Sequence, residues 1–250
     1  MLALAVCCLF FNTAQAQYAV CDYMKVKPGM WDKYLECEKA WKTLHQNRKA
    51  QGKIQDWEVE QVMFPAGANA EYDFITITFV SNWDVIGHLW DNYEAELKAL
   101  PADQRAIAEK AGEYRALVKT EIWRTTDYIA KKDFKAKYVV ENFFKVPPGG
   151  WDDYLEMETR FVKPVHQKNI DLGNRGGWVL GYMVAPQGED QPYDCSTVDL
   201  YDKWEDLDND EGKAWETVYP GMSDAHIGKR IEATRSLVRR EIRQVVMGTD

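Results

Sequence analysis

Apolar and polar residues alternate along positions 18–26, so every second side chain falls on one face. This alternation predicts a β-strand, which Pro28 and Gly29 then stop. From about residue 30 to residue 50, large apolar side chains recur at helical spacing, and Gly52 ends the helix that they predict. The later pattern predicts two strands, a helical region that Pro101 breaks, and a final strand, over about 55–63, 72–80, 82–115 and 116–124.

The same pattern occurs twice in the chain. The segment KVKPGMWDKYLECE (25–38) is matched by KVPPGGWDDYLEME (145–158), at an offset of 120 residues. The offset is 121 between His45 and His166, and it returns to 120 near the end of each copy. Chance does not produce agreement over so many positions in register, so the chain contains an internal repeat. We divide it into a first repeat (17–125), a linker (126–137) and a second repeat (138–250).

Each repeat has the predicted element order βαββαβ, which is typical of a ferredoxin-like unit. Two such units bury their open sheet faces when they pack sheet against sheet. The predicted fold class is therefore α+β, with two tandem ferredoxin-like repeats that pair their sheets as an intrachain pseudo-dimeric α/β barrel.

The duplicated units and the helix motif Trp-x-x-Tyr-Leu-x-x-Glu, at 31–38 and 151–158, carry a family resemblance. The chain resembles the dimeric α/β-barrel superfamily, as a fused two-repeat member, and its helix motif is similar to that of poorly characterised exported bacterial proteins. The resemblance implies a fold and leaves the activity open. The superfamily includes antibiotic-biosynthesis-type monooxygenases, small isomerases and lyases, and haem-binding chlorite-dismutase-like and haem-degrading enzymes.

Composition and charge limit the classes of partner. The 250 residues are 46% hydrophobic, which is enough for one large core or two small ones. The 31 basic and 40 acidic residues give a net charge of −9, and no basic run is present. These charges disfavour binding to nucleic acid or to an anionic membrane surface. We expect a small-molecule ligand, no integral membrane segment in the mature chain, and a monomer or homo-oligomer.

The first residues predict export. An apolar stretch ends in Ala14-Gln15-Ala16, the small-x-small pattern of a signal-peptidase site, so we predict a signal peptide over 1–16 and a periplasmic or secreted protein. A lipobox ending at Cys7 and a first buried strand are the alternatives. Cleavage after Ala16 leaves three cysteines without CxxC spacing, which predicts small core residues: Cys21, Cys37 and Cys195.

The first helix contains the candidate site. At about 100° per residue, Tyr34, Glu38 and His45 share one stripe with the large apolar side chains, and that stripe faces the sheet. The first strand places Asp22 opposite Glu38, and the later strands bound the same layer. The predicted pocket residues of the first repeat are Asp22, Tyr34, Trp57 and Thr76, with Glu38 and His45 as catalytic candidates. Their counterparts in the second repeat are Asn142, Tyr154, Trp178 and Thr197, with Glu158 and His166.

Two interpretations of these residues compete. In the first, each repeat holds a pocket between its first helix and the sheet, where a desolvated Glu38 acts as general base and His45 as acid or oxyanion partner on a small organic or aromatic molecule. In the second, the same residues form a satisfied structural network in a non-catalytic binding or assembly module. The first repeat has the larger acidic set, since Asn142 replaces Asp22. It is the favoured site if only one repeat is active.

Cofactor chemistry is a third possibility. Haem needs one axial histidine, which His45 or His166 could supply, but no other haem signal is present. Glu38 and His45 are seven residues apart and do not form a chelating pair, and the acidic run 202–212 lacks calcium-loop spacing. We therefore expect no metal and, as the main hypothesis, no cofactor. His88 and His226 have no counterparts across the repeats and are expected on the surface.

Overall fold

A computed structural model describes residues 17–249, so the predicted signal peptide lies outside the described residues. Within this part the chain forms eight strands: β1 (Tyr18–Val26), β2 (Asp56–Phe64), β3 (Phe74–Val80), β4 (Arg115–Ala130), β5 (Tyr138–Lys145), β6 (Gly177–Ala185), β7 (Cys195–Tyr201) and β8 (Ser236–Gly248). The α-helices described are α1 (Trp31–Ala50), α2 (Trp83–His88), α3 (Tyr93–Lys98), α4 (Ala102–Ala108), α5 (Ala111–Tyr114), α6 (Trp151–Glu156), α7 (Lys163–Leu172), α8 (Gly212–Val218) and α9 (Asp224–Glu232). A π-helical segment (Met157–Val162) joins α6 to α7, and a 3-10 turn (Trp204–Asp208) follows β7.

The strands close into one antiparallel barrel in the order β1-β3-β2-β8-β5-β7-β6-β4. The first half contributes the run β4-β1-β3-β2 and the second half the run β8-β5-β7-β6, and the pairs β2·β8 and β4·β6 join the two runs. The predicted α+β class and barrel are confirmed. Strand β4 continues to Ala130, so the first five residues of the predicted linker extend the sheet and pair with β6.

The barrel has two apolar layers because strand side chains alternate between its faces. On the outer face, Val20, Met24 and Trp57 pack under α1 in one buried cluster. On the inner face, Tyr23, Ile75, Trp123 and Phe143 belong to a second cluster that fills the barrel. The helix side of β1 is therefore the face that carries Asp22, as its spacing predicts.

Helix α1 buries the side chains that share its predicted stripe. Tyr34, Glu38 and His45 are all at most 3% exposed. Trp31 is the exception at 40% exposure, because it is the first residue of the helix and packs only one side of its ring, against Phe74 at a centroid distance of 4.8 Å.

The equivalent helix of the second half is interrupted by the π-helical segment. A π-helical turn accommodates one more residue than an α-helical turn. This extra residue explains why Glu38 and Glu158 are 120 apart whereas His45 and His166 are 121 apart. Pro164 lies in the first turn of α7, where proline is tolerated. His166 is buried, as its counterpart His45 is.

The predicted helical region 82–115 consists of four short helices, α2 to α5. Pro101 directly precedes α4 and separates it from α3, as expected. The three cysteines of the described chain are free and buried, in agreement with their prediction as core residues. No helix among residues 17–249 is long and apolar enough to cross a membrane. His88 and His226 are exposed.

Candidate functional site

In the first half, Glu38 lies in a buried ion pair. Its Oε1 is 3.3 Å from Nε of Arg115, the first residue of β4. Burial raises the pKa of Glu38 to about 7, and the Arg115 guanidinium opposes part of that rise. On the facing strand, Asp22 pairs across the sheet with Thr76 and Thr120, and the Thr120 hydroxyl donates to its carboxylate. The polar layer predicted around Glu38 is therefore present.

His45 lies one helical turn beyond Trp41, which is also buried. The His45 ring stacks on Trp57 with a centroid distance of 4.8 Å and an interplanar angle of 10°. Burial, together with the nearby Arg48 guanidinium, lowers the pKa of His45 to about 3, so the imidazole is neutral at pH 7. A neutral, buried ring of this kind contributes apolar contact to the core.

Aromatic and apolar side chains fill the space between α1 and the helices that cover it. Trp41 stacks on Tyr93 with an interplanar angle of 9°, and Leu89 and Leu100 belong to the same buried cluster. Arg48 is 2% exposed, donates from Nε and Nη2 to Glu96 at 2.8 and 2.6 Å, and lies over the Trp90 ring at 4.7 Å. The predicted pocket of the first repeat is thus largely occupied by protein side chains.

The second half has a cleft of about 470 Å³ between the outer face of the sheet and helices α7, α8 and α9. Three residues of the predicted site line it, namely Asn142, His166 and Thr197. Tyr154 and Trp178 are fully buried and are not among its lining residues. The sequence favoured the first repeat because of its acidic residues, whereas the cleft lies in the repeat with the neutral Asn142.

The floor of the cleft is a hydrogen-bonded polar row across three strands. The Asn142 amide donates to Thr197 Oγ1 at 3.4 Å and to Asp199 Oδ2 at 3.3 Å. Its Oδ1 accepts from Arg240 Nε at 2.6 Å, and Arg240 is exposed at the rim. This row repeats the Asp22 row of the first half, since Asn142 pairs with Thr197 on β7 and with Arg240 on β8.

Arg175 connects the floor to the wall of the cleft. It is 4% exposed and makes an ion pair with Asp199 at 2.8 Å, a hydrogen bond to the Tyr201 hydroxyl at 3.2 Å, and a close ion pair with Glu211. Its guanidinium also contacts Nδ1 of His166. The charge of Arg175 is therefore compensated by two carboxylates.

Glu158, the candidate base of the second repeat, lies behind the cleft. It is fully buried and ion-paired to Arg235, and Arg235 is the member of the pair that lines the cleft. Burial raises the pKa of Glu158 to about 7, and Arg235 opposes part of the rise. The pair repeats Glu38 and Arg115 at an offset of 120.

Asn169 is a residue of this site whose two polar side-chain atoms both lack a partner among the described residues. It lines the cleft on α7 and is 1% exposed, and neither Nδ2 nor Oδ1 has a hydrogen-bond partner among the described residues. Buried amides without partners are rare in native proteins, since each unpaired group costs about 1–3 kcal/mol.

Sequence reasoning missed Asn169, Arg175, Asp199 and Arg240 because it searched for residues that the two repeats share. At the same offset as His45 and His166, the first repeat has Arg48 and Ile54 where the second has Asn169 and Arg175. The signal was present as a difference between the copies. A polar or smaller residue on the buried face of one repeat indicates where that repeat has a cleft.

A second cavity, of about 560 Å³, lies at one end of the barrel and is lined by Lys119, Arg239, Glu71 and loop residues 186–193. Its charges compensate one another. Lys119 Nζ is 3.1 Å from Glu121, and Arg239 pairs with Glu71 at 3.2 Å and with Glu241 at 2.5 Å. This cavity therefore offers a ligand fewer unpaired polar groups than the cleft does.

No protein-family model matches the sequence, and no curated protein sequence matches it. Solved structures do match the fold. A proposed monooxygenase from Lactobacillus acidophilus is 10% identical, with 92% of each chain covered and a TM-score of 0.53. A heme-binding protein from Thermus thermophilus is also 10% identical, covering 93% of this chain and 92% of its own, with a TM-score of 0.52. A mutant chlorite dismutase from Candidatus Nitrospira defluvii in complex with cyanide is 11% identical, with coverages of 93% and 92% and a TM-score of 0.54.

This chain has the fold of the dimeric α/β-barrel proteins. The resemblance predicted from its two repeats is confirmed over nearly the whole described chain, and identities of 10–11% show the fold alone.

Haem binding occurs within this fold, and it requires an axial ligand such as a histidine. The guanidinium of Arg175 has only donors, so Nδ1 of His166 must accept from it, and a neutral ring then carries its proton on Nε2. Burial, with Arg175 adding to it, lowers the pKa of His166 well below its usual value. Neither ring nitrogen has a lone pair available for iron, whereas an axial histidine donates its second N–H to an acceptor. The arrangement does not fit haem ligation.

Within residues 17–249, no group of three or more His, Cys, Asp or Glu side chains is arranged to hold a metal ion. The arrangement can bind a molecule by hydrogen bonds and apolar contact.

Proposed function

We propose that the protein is an exported binding protein that holds a small organic or aromatic molecule in the cleft of its second half. The observation that carries this proposal is the difference between the two halves: side chains fill the space under the covering helices in the first, whereas the second has a cleft of about 470 Å³ on a polar floor. Concave sites that combine apolar walls with placed polar groups are the usual form of small-molecule sites.

The walls and floor support an aromatic ligand. Phe144, Trp215, Ile227 and Ile231 contribute apolar surface, and Asn142 and Asn169 contribute neutral polar groups. An aromatic ring packs well against such walls, because large apolar contact areas dominate the affinity of small ligands.

Binding is proposed here in preference to conversion. The candidate base Glu158 is ion-paired to Arg235 and is not among the residues that line the cleft, so it does not reach a bound molecule directly. Likewise, the haem binding described for the Thermus protein is not proposed for this chain. Arg175 occupies Nδ1 of His166, and His45 is 3% exposed and stacks on Trp57, away from the cleft.

The architecture of the proposal is two ferredoxin-like repeats of one chain. The strand orders β4-β1-β3-β2 and β8-β5-β7-β6 and the 120-residue sequence repeat support it. Export rests on the signal-peptide pattern. Its test is the mass of the mature protein from the organism's envelope or medium, which is expected to begin at Gln17; a chain that begins at Met1 contradicts export.

The binding proposal is tested with N-phenyl-1-naphthylamine, an uncharged anilinonaphthalene probe whose fluorescence rises in apolar surroundings. The purified protein is expected to bind it at one saturable site. Ile231→Trp fills the cleft and should weaken binding at least tenfold. Ile107→Trp makes an isoleucine-to-tryptophan change in the first half and should leave binding unchanged. Equal binding by the wild type and both variants would contradict the proposal.

A further inference from the structure

We propose that the ligand of the second-half cleft is a flat, uncharged heteroaromatic molecule with an amide edge, that is, a lactam or ring carboxamide whose N–H and C=O lie side by side. This inference rests on the proposed function and specifies the chemical class of its ligand. Two independent features of the cleft carry it: the unpaired amide of Asn169 and the ion pairs that already compensate Arg175 and Arg235.

Asn169 presents one donor and one acceptor, both without a partner among the described residues, on a side chain that is 1% exposed and lines the cleft. The complement of a carboxamide is another group with an adjacent acceptor and donor, as in a lactam. A ligand carrying such an edge satisfies both atoms of Asn169 at once, and no protein group in the described chain does so.

The buried ion pairs of the cleft disfavour a charged group at the buried end of the ligand. Arg175 is compensated by Asp199 and Glu211, and the Arg235 guanidinium is compensated by Glu158. A carboxylate or ammonium brought against these groups would find them already paired, and burying an unpaired charge is strongly unfavourable. Arg240, which is in no ion pair among the described residues, lies exposed at the rim. A neutral amide edge requires only the hydrogen bonds that Asn169 offers.

In the first half, the residue at the equivalent position is paired within the protein. Arg48 is the counterpart of Asn169, and its long side chain extends to Glu96 and Trp90. The shorter Asn169 makes no such contact and leaves its amide at the cleft. The second half therefore has an unpaired amide where the first half has an internal ion pair. A structural role does not explain this difference.

The experiment compares three probes of the same shape by calorimetric titration and tryptophan fluorescence: 2-quinolone, which has the lactam edge; quinoline, which lacks it; and quinoline-2-carboxylate, which has an acid at that edge. The wild type is expected to bind 2-quinolone at least tenfold more tightly than either analogue, since the pair of hydrogen bonds to Asn169 is made only with the lactam. Binding of quinoline or its carboxylate as tight as that of 2-quinolone overturns the inference.

The variant Asn169→Leu keeps the size of the side chain and removes both polar atoms. It should abolish the preference for 2-quinolone by weakening that probe at least tenfold while leaving quinoline unchanged. The control Asn47→Leu alters an asparagine on α1, away from the cleft, and should keep the preference. A preference that survives in Asn169→Leu overturns the role of Asn169.

The two proposals fail separately. If the anilinonaphthalene probe binds and Ile231→Trp removes it, but 2-quinolone is not preferred or does not bind, then the ligand class is wrong and the cleft remains a binding site. If the anilinonaphthalene probe itself does not bind at this cleft, the proposed function fails.

Discussion

Arg48 and Asn169 occupy equivalent positions in the two halves, each three residues after the histidine that stacks on a buried tryptophan, but only Arg48 is paired. Arg48 reaches Glu96 at 2.6 Å and covers the end of α1, whereas Asn169 has no partner among the described residues. This pair of residues marks the difference between a half that is filled and a half that has a cleft.

Substitution by leucine at these two positions should therefore change the stability of the unliganded protein in opposite directions. Asn169→Leu removes a buried amide that lacks partners, so the free energy of unfolding should rise by about 1–2 kcal/mol. Arg48→Leu removes a buried ion pair and leaves Glu96 with Lys53 alone, so it should fall by about 2 kcal/mol or more. Urea unfolding of both variants measures this, and a loss of stability in Asn169→Leu would show that the amide is structurally paired.

Buried glutamates should make the protein less stable as the pH rises. Inside the barrel, Glu141 lies 2.6 Å from Arg243, and burial raises the pKa of Glu141 to about 7, only partly opposed by Arg243. The folded chain then holds a proton that the unfolded chain, with an ordinary pKa of 4.5, releases. The contribution of Glu141 is fully present below pH 4.5 and is lost as the pH rises through 7.

The measurement compares wild type with Glu141→Gln between pH 4.5 and 8. The stability gap between them should change by about 3 kcal/mol over this range, at 1.36 kcal/mol for each unit of pKa shift. His45 has the opposite effect on the pH dependence of stability. Its pKa is lowered by folding, so it reduces the stability as the pH falls below 6.5, and it does so equally in the wild type and in Glu141→Gln. Parallel stability curves would contradict the raised pKa of Glu141.

Haem should not be held through His166. Because Arg175 engages Nδ1, haemin added to the protein should give the same absorption spectrum with the wild type as with His166→Ala. Arg175→Leu removes the guanidinium that engages Nδ1 of His166. This variant is the comparison in which His166 is available to bind iron. A Soret band that the wild type shows and His166→Ala loses would overturn this prediction.

The π-helical segment should tolerate the loss of its extra residue. Because a π-helical turn absorbs that residue without turning the helix that follows, deletion of Arg160 should convert the segment to α-helix and leave His166 stacked on Trp178, as His45 stacks on Trp57. The near-ultraviolet tryptophan signal and the binding of the anilinonaphthalene probe should stay close to those of the wild type. Deletion of Lys39, an exposed residue of α1, is the comparison: no π-helical turn absorbs it, so it should turn His45 by about 100° away from Trp57 and lower the stability. An Arg160 deletion that is as damaging as the Lys39 deletion would contradict this role of the segment.

The repeat, the strands and the buried stripe of α1 could be predicted from the sequence, because each depends on local periodicity. Tyr34, Glu38 and His45 are buried because helical spacing places them with Leu44 on one side. Similarly, Asp22 faces the helix layer because strand side chains alternate. Periodicity carries this information before any long-range contact is known.

The helix that carries His166 shows what local periodicity did not predict. The 121-residue offset recorded that one residue had been added, but the sequence did not show whether a loop, a kink or a π-helical turn absorbed it. The π-helical turn became evident only with the packing of His166 on Trp178, because the energy that selects it comes from tertiary contact.

By itself, the sequence determined the two copies, the order of elements and the faces that meet the core, because these follow from the spacing of apolar side chains along each segment. Only the tertiary structure decided that β2 meets β8 and β4 meets β6, that Arg48 closes one half, and that Asn169 faces a cleft in the other. Such properties depend on residues far apart in the chain. Whether a buried polar group finds a partner is settled by the space around it, and that space exists only in the folded protein.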